Sequence, residues 1–169
     1  MIYFVTENYL KTQTPITANI DVNNIVPFIK TQSDMRIMPI LGTYFYNYIL
    51  TAYNDQTLTV DEEELVTYIQ PAIAWRSAED AAFGLSYQLK NKGIQTQNGD
   101  YSNNVNQSEV NFVQDHYAQK ASFYESRLWK YLDTNRDLFA NFISQLNRDS
   151  DIRPAVQQTQ GFNDSILFL

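Results

Sequence analysis

A stretch running from Asp61 to Gly93, DEEELVTYIQPAIAWRSAEDAAFGLSYQLKNKG, commits much of this 169-residue chain to helix. Leu65, Ile69, Ala72, Ile73, Ala78, Ala82, Leu85 and Leu89 recur at spacings of three and four, or sums of these, and so share one helix face. Asp61 to Glu64 open it with four acids, where free N–H groups and the positive end of the helix dipole favour carboxylates. Lys90 and Lys92 sit at the opposite end, and Gly93 suits a left-handed closing residue. If continuous, the element is on the order of 45 Å long. Pro71 removes one helical hydrogen bond and predicts a kink near Gln70, or two helices abutting there. Ala72, Ala74, Ala78, Ala81 and Ala82 present small side chains that let a second helix come close. Arg76 lies among apolar residues; if buried it needs a carboxylate, and Asp80 at i+4 is placed to supply it.

After Gly93 the period changes. Ile94 to Gln97 and Asp100 to Asn103 flank Asn98-Gly99, a pair that favours the two-residue turn of a β-hairpin. Both expected strands are polar on both faces, so such a hairpin needs a neighbour to lean on; an irregular Asn/Gln-rich loop is the plainer alternative. A second long helix is predicted from Glu109 to about Leu132, capped by Ser108 or Asn106. Val110, Val113, Tyr117, Ala121, Tyr124, Leu128, Tyr131 and Leu132 form its main face. Phe112, Phe123 and Trp129 lie off that face and leave apolar groups for a neighbour.

Upstream, Thr6 is placed to cap a short helix and Asp21 another, the latter carrying Ile25, Phe28 and Ile29. Gly42 to Tyr53 is aromatic nearly all round, which implies burial on more than one side. Downstream, Asn135 opens a helix with Leu138, Phe139, Phe142, Ile143 and Leu146. A charged break and the Gln-rich segment from Ala155 to Gly161 lead to Phe162-Asn-Asp-Ser-Ile166-Leu167-Phe168-Leu169. That apolar ending, after a polar linker, suggests docking on a partner or back on its own domain.

Chemistry is sparse. His116 is the single histidine, and Asp115 beside it points about 100° away on a helix. Gly84-Leu-Ser-Tyr-Gln lacks the second glycine of a nucleophile elbow, and five scattered glycines make no phosphate loop. Glu79-Asp80 reads as a solvated or intersubunit patch. With no cysteine there is no disulfide or thiolate site. A net charge of −7 argues against a grip on nucleic acid. The start, MIYFVTENYLK, lacks the features of a signal peptide, and no apolar run approaches the roughly 18 residues of a membrane span. The residues predict neither enzyme activity nor a cofactor or metal.

Gln70-Pro-Ala-Ile-Ala-Trp75 through Lys92-Gly-Ile-Gln95, the polar insert, and the helix bearing Tyr117, Ala121 to Tyr124, Leu128 and Tyr131-Leu132 resemble the head–tail connector (adaptor) proteins of tailed bacteriophages. Among these, the chain resembles the neck ring proteins of crAss-like phages of gut bacteria. The resemblance covers roughly residues 20–147 and includes no catalytic signature. It implies a mainly α fold: a small helical bundle with two long antiparallel helices joined by a β-hairpin or long polar loop, and an extended C-terminal tail. The helical domain would span 1–150, with an insert at about 94–104, and the tail 151–169. It also implies a ring, typically of twelve copies, made in the host cytoplasm and placed in the virion between portal and tail. That ring extends the DNA channel without sequence-specific binding and docks the portal and an adjacent neck or tail protein.

On this reading Phe162, Ile166, Leu167, Phe168 and Leu169 bind a partner. Ile94, Gln95, Gln97, Asn98, Gly99 and Tyr101 form an intersubunit or channel hairpin. Phe112, His116, Phe123 and Trp129 form an intersubunit helix face. The acidic balance suits a conduit that DNA passes without adhering. A soluble helical interaction module, docking a partner through the apolar tail and never forming rings, is the alternative.

Overall fold

The bundle is organised around one central helix. The computed structural model describes residues 3–17, 19–90, 93–96, 106–139 and 142. Helix α5, Val60–Ser86, is continuous through Pro71. Its start is fixed by a reciprocal cap that the acidic run obscures in the sequence: Thr59 N donates to Glu62 Oε2 at 2.8 Å and Glu62 N to Thr59 Oγ1 at 3.4 Å. Ala72, Ile73 and Ala74 are consecutive and all fully buried, so α5 is covered on several sides rather than along a single stripe.

Four shorter helices precede it: α1, Glu7–Gln13; α2, Val22–Gln32; α3, Met38–Leu41; and α4, Thr43–Asp55, of which α1 and α2 pack directly on α5. Thr6 caps α1 and Asp21 caps α2. Between α2 and α3 lies a π turn, Ser33–Ile37, whose buried Ser33 hydroxyl donates to Ile29 O at 2.7 Å. Tyr46 of α4 packs there, 2% exposed. Burial, followed by the charge of Asp34, pushes its hydroxyl up to about 12, with a Ser33 hydrogen bond working the other way. Gly42 joins α3 to α4 with φ 77°, a backbone region that excludes most side chains. Phe28 of α2 lies directly over Gly84 of α5; a Cβ there would stand 2.5 Å from the ring tip.

Helix α6, Gln107–Thr134, starts with a full capping box between Asn106 and Glu109. It runs along α5 in the opposite sense: Tyr131 stacks on Tyr68, Glu125 meets Arg76, and Gln114 reaches Glu79. After it, the expected helix at Asn135 begins as a 3-10 turn, Arg136–Leu138. Phe139 and Phe142 close the core against Phe45, with ring centroids 5.7 and 5.4 Å away. Ile143 and Leu146 lie outside the described residues.

The expected architecture needs correction between the two long helices. Helix α5 stops at Ser86, not at Gly93. The Ser86 hydroxyl donates to Ala82 O at 2.7 Å, a local bond of the kind that competes with helix continuation. Tyr87–Lys90 then forms strand β1, which pairs antiparallel with β2, Gly93–Thr96, Tyr87 opposite Thr96 and Lys90 opposite Gly93. Ile94 and Gln95 therefore pair backward, with Leu89 and Gln88, and not forward across Asn98-Gly99. No joining hairpin about Asn98-Gly99 is present among the described residues; Gln97, Asn98, Gly99 and Tyr101 lie outside them, as do Phe162, Ile166, Leu167, Phe168 and Leu169. The architecture is mainly helical, held by helix–helix packing.

Candidate functional site

The feature that stands apart from ordinary core-building is the outer side of α6. Val110, Ala121, Leu128 and Leu132 are buried against the bundle. At about 100° per residue, Phe112, His116, Gln119 and Phe123 fall within about 60° of one another, on the side opposite those four. Phe112 is 75% exposed and Phe123 59%. A helix needs only one apolar stripe to join a bundle, and Phe112 and Phe123 lie outside that stripe. Scattered exposed hydrophobics are ordinary, whereas aromatics aligned along a helix form a surface.

Cations frame this strip. Trp75 of α5 forms its wall with His116, Gln119, Lys120, Phe123 and Tyr124 around an open hollow of about 430 Å³. Lys120 Nζ lies 4.1 Å from the Trp75 ring centroid. The Arg127 guanidinium lies 5.3 Å from Tyr68 and 5.9 Å from Phe123, so it bridges the strip to the α5–α6 seam. Neither cation makes an ion pair with a described residue. In a chain of net charge −7, this is a local inversion of sign.

Below the strip, Arg76 locks the seam. Its Nε and Nη2 donate to the two carboxylate oxygens of Glu125 at 2.6 and 2.7 Å. Its Nη1 donates to Glu79 at 2.7 Å, and Nη2 also to Ser122 Oγ at 3.0 Å. Arg76 is 8% exposed, and the Glu125 hydrogen bonds, with Glu79 adding to them, hold its proton more tightly than usual. The expected partner Asp80 is instead bound by Gln32 Nε2 at 3.0 Å. Glu79-Asp80 is thus engaged within the chain. At the same seam Tyr131 is pushed up to about 12, by burial first and then by the charges of Glu64 and Asp61.

Of the expected intersubunit face, Phe112, His116 and Phe123 share the exposed strip. Trp129 does not: it is half-buried on another side of α6, beside Ile40, Glu125 and Ser126. Its six-residue separation from Phe123 amounts to about 120° of rotation away. The sequence reading missed Trp75, Lys120 and Arg127. Lys120 and Arg127 are seven residues apart, next to the Phe112–Phe123 line, and that spacing was the available signal. Among the described residues no group of three or more His, Asp or Glu is placed to hold a metal ion. No described helix is long and apolar enough to cross a membrane.

A family of unknown function, DUF6712, matches residues 37–152, from the π turn through α6 and beyond. The chain belongs to that family. The DUF6712 region therefore includes α4, α5, the strand pair, α6 and the outer strip. No curated protein and no solved structure matches the chain.

Proposed function

We propose that this chain is a structural virion protein that assembles into a ring at a phage neck, between portal and tail. The observation that carries this reading is the aromatic strip of α6, set opposite the face that builds the subunit's own core. A closed ring needs head-to-tail contacts, in which two different surfaces of each subunit meet. The strip supplies one such surface. A net charge of −7 favours a bore that repels DNA and lets it slide. The resemblance to connector proteins sets the expected copy number at twelve, with the portal above and a neck or tail protein below.

The test is electron microscopy of portal-bearing capsids, or of isolated portal rings, mixed with the protein. The full chain and a form ending at Gly161 are compared. A ring of added density at the outer end of the portal supports the connector. Loss of that density in the shorter form, with its helical circular dichroism retained, assigns the portal contact to Phe162–Leu169. If neither form binds, the connector reading is abandoned in favour of a helical interaction module with another partner.

A further inference from the structure

We infer that, in the free subunit, the outer strip of α6 is the docking site for the chain's own segment Phe162–Leu169. The inference concerns the unassembled protein and stands or falls apart from the connector reading.

Three observations point to this occupant. The first is chemical. The strip offers Phe112 and Phe123 along about 16 Å of helix, with Trp75 at its edge. The segment offers Phe162, Ile166, Leu167, Phe168 and Leu169, five large apolar side chains in eight residues. The second is charge. Asp164 is the one charged side chain in the segment, and Lys120 and Arg127, which frame the strip, make no ion pair with any described residue. A segment of opposite polarity would meet the like-signed majority of this acidic surface elsewhere.

The third is reach. The chain is anchored at Phe139, whose ring centroid lies 6.2 Å from that of Tyr131, and at Phe142 beside Phe45. From Tyr131 back along α6 it is about 12 Å to Phe123 and about 28 Å to Phe112. Residues 143–161 separate the anchor from Phe162, and a chain of that length can reach at most about 65 Å. A tethered segment that can reach a site meets it at a higher local concentration than a site on another molecule in dilute solution. The tether therefore favours the chain's own strip over one on another molecule. Docking there covers the strip until an assembly partner displaces it, which separates synthesis of the subunit from its self-association.

The test places a photo-crosslinking benzoylphenylalanine at position 168 of the full chain, irradiates the protein at low micromolar concentration, and maps the linked peptides by mass spectrometry. The expected result is a link from position 168 to the segment between Phe112 and Lys130, within the monomer-sized band. Phe112→Ser combined with Phe123→Ser should lower that yield several-fold, as should Lys120→Glu combined with Arg127→Glu. Phe112, Phe123 and Arg127 are exposed and Lys120 is half-buried, and an unchanged circular dichroism spectrum will show that both variants fold. Links to any other part of the monomer overturn the proposal. So do links confined to a dimer-sized band, or no links at all.

Discussion

Replacing Arg76 with Met tests whether the α5–α6 seam depends on its ion pairs or merely contains them. The substitution removes four hydrogen bonds and leaves Glu125 and Glu79 facing the seam without a cation. Removing one member of a fully buried pair costs about 3–5 kcal/mol. Here the carboxylate side chains retain 18% and 25% of their exposure, so water can reach them after the cation is gone. Met also restores much of the packing of the arginine stem. The expected loss is therefore about 2–3 kcal/mol, which for a domain of this size lowers Tm by roughly 5–10 °C. Thermal and urea unfolding followed by circular dichroism measures it. A second measurement guards against a loss caused by packing alone: Arg76→Met is combined with Glu125→Gln. Because Glu125 is uncompensated only when Arg76 is absent, the double variant should be more stable than the sum of the singles by about 1–2 kcal/mol. A single variant within about 0.5 kcal/mol of the parent, or strict additivity, refutes the reasoning.

Two further expectations follow from the packing. Tyr46 and Tyr131 titrate near 12 in the folded chain, against about 10 when unfolded, so their contribution is intact below pH 10 and is lost as pH rises from about 10 to 12. Urea titrations at pH 9 and pH 11 should therefore show a smaller alkaline loss for Tyr131→Phe than for the parent; equal losses refute the assignment. Gly84→Ala should destabilise by about 1–2 kcal/mol, because the new methyl collides with the Phe28 ring. If helix propensity alone governed the site, the same change would instead stabilise by about 1 kcal/mol, and calorimetry distinguishes the two signs.

The sequence displayed the long helices because their evidence is local. Asp21 and Asn106 cap where their residue types suggest, and the three-and-four spacing in α6 marks the side that faces the bundle. The end of α5 was not legible. Gly93 and the two lysines form a plausible helix stop, but Ser86 bonds back to Ala82 and the chain turns extended seven residues earlier. Asn98-Gly99 is a strong local turn signal, yet Ile94 and Gln95 pair with residues before them, and pairing is a choice between partners that a dipeptide does not decide. The partner of Arg76 was misjudged for a related reason. Asp80 was the nearest candidate along one helix, whereas Glu125 comes from forty-nine residues away once α6 docks. The strip on α6 was half visible: Phe112, His116 and Phe123 share a spacing, but the wall supplied by Trp75 belongs to another helix.

The π turn at Ser33–Ile37 bears on how this stretch of the chain can vary in length. A π turn absorbs one extra residue, so Ile25, Ile29, Ile37 and Leu41 share one side; in an uninterrupted α-helix over the same residues Ile37 and Leu41 would swing by about 100° relative to Ile25 and Ile29. All four are buried, so losing one residue together with the π turn keeps them facing the core, whereas losing the turn without losing a residue would carry half of them out of it. A single-residue deletion within Ser33–Ile37 should therefore be tolerated, whereas a single-residue insertion there should lower the melting temperature.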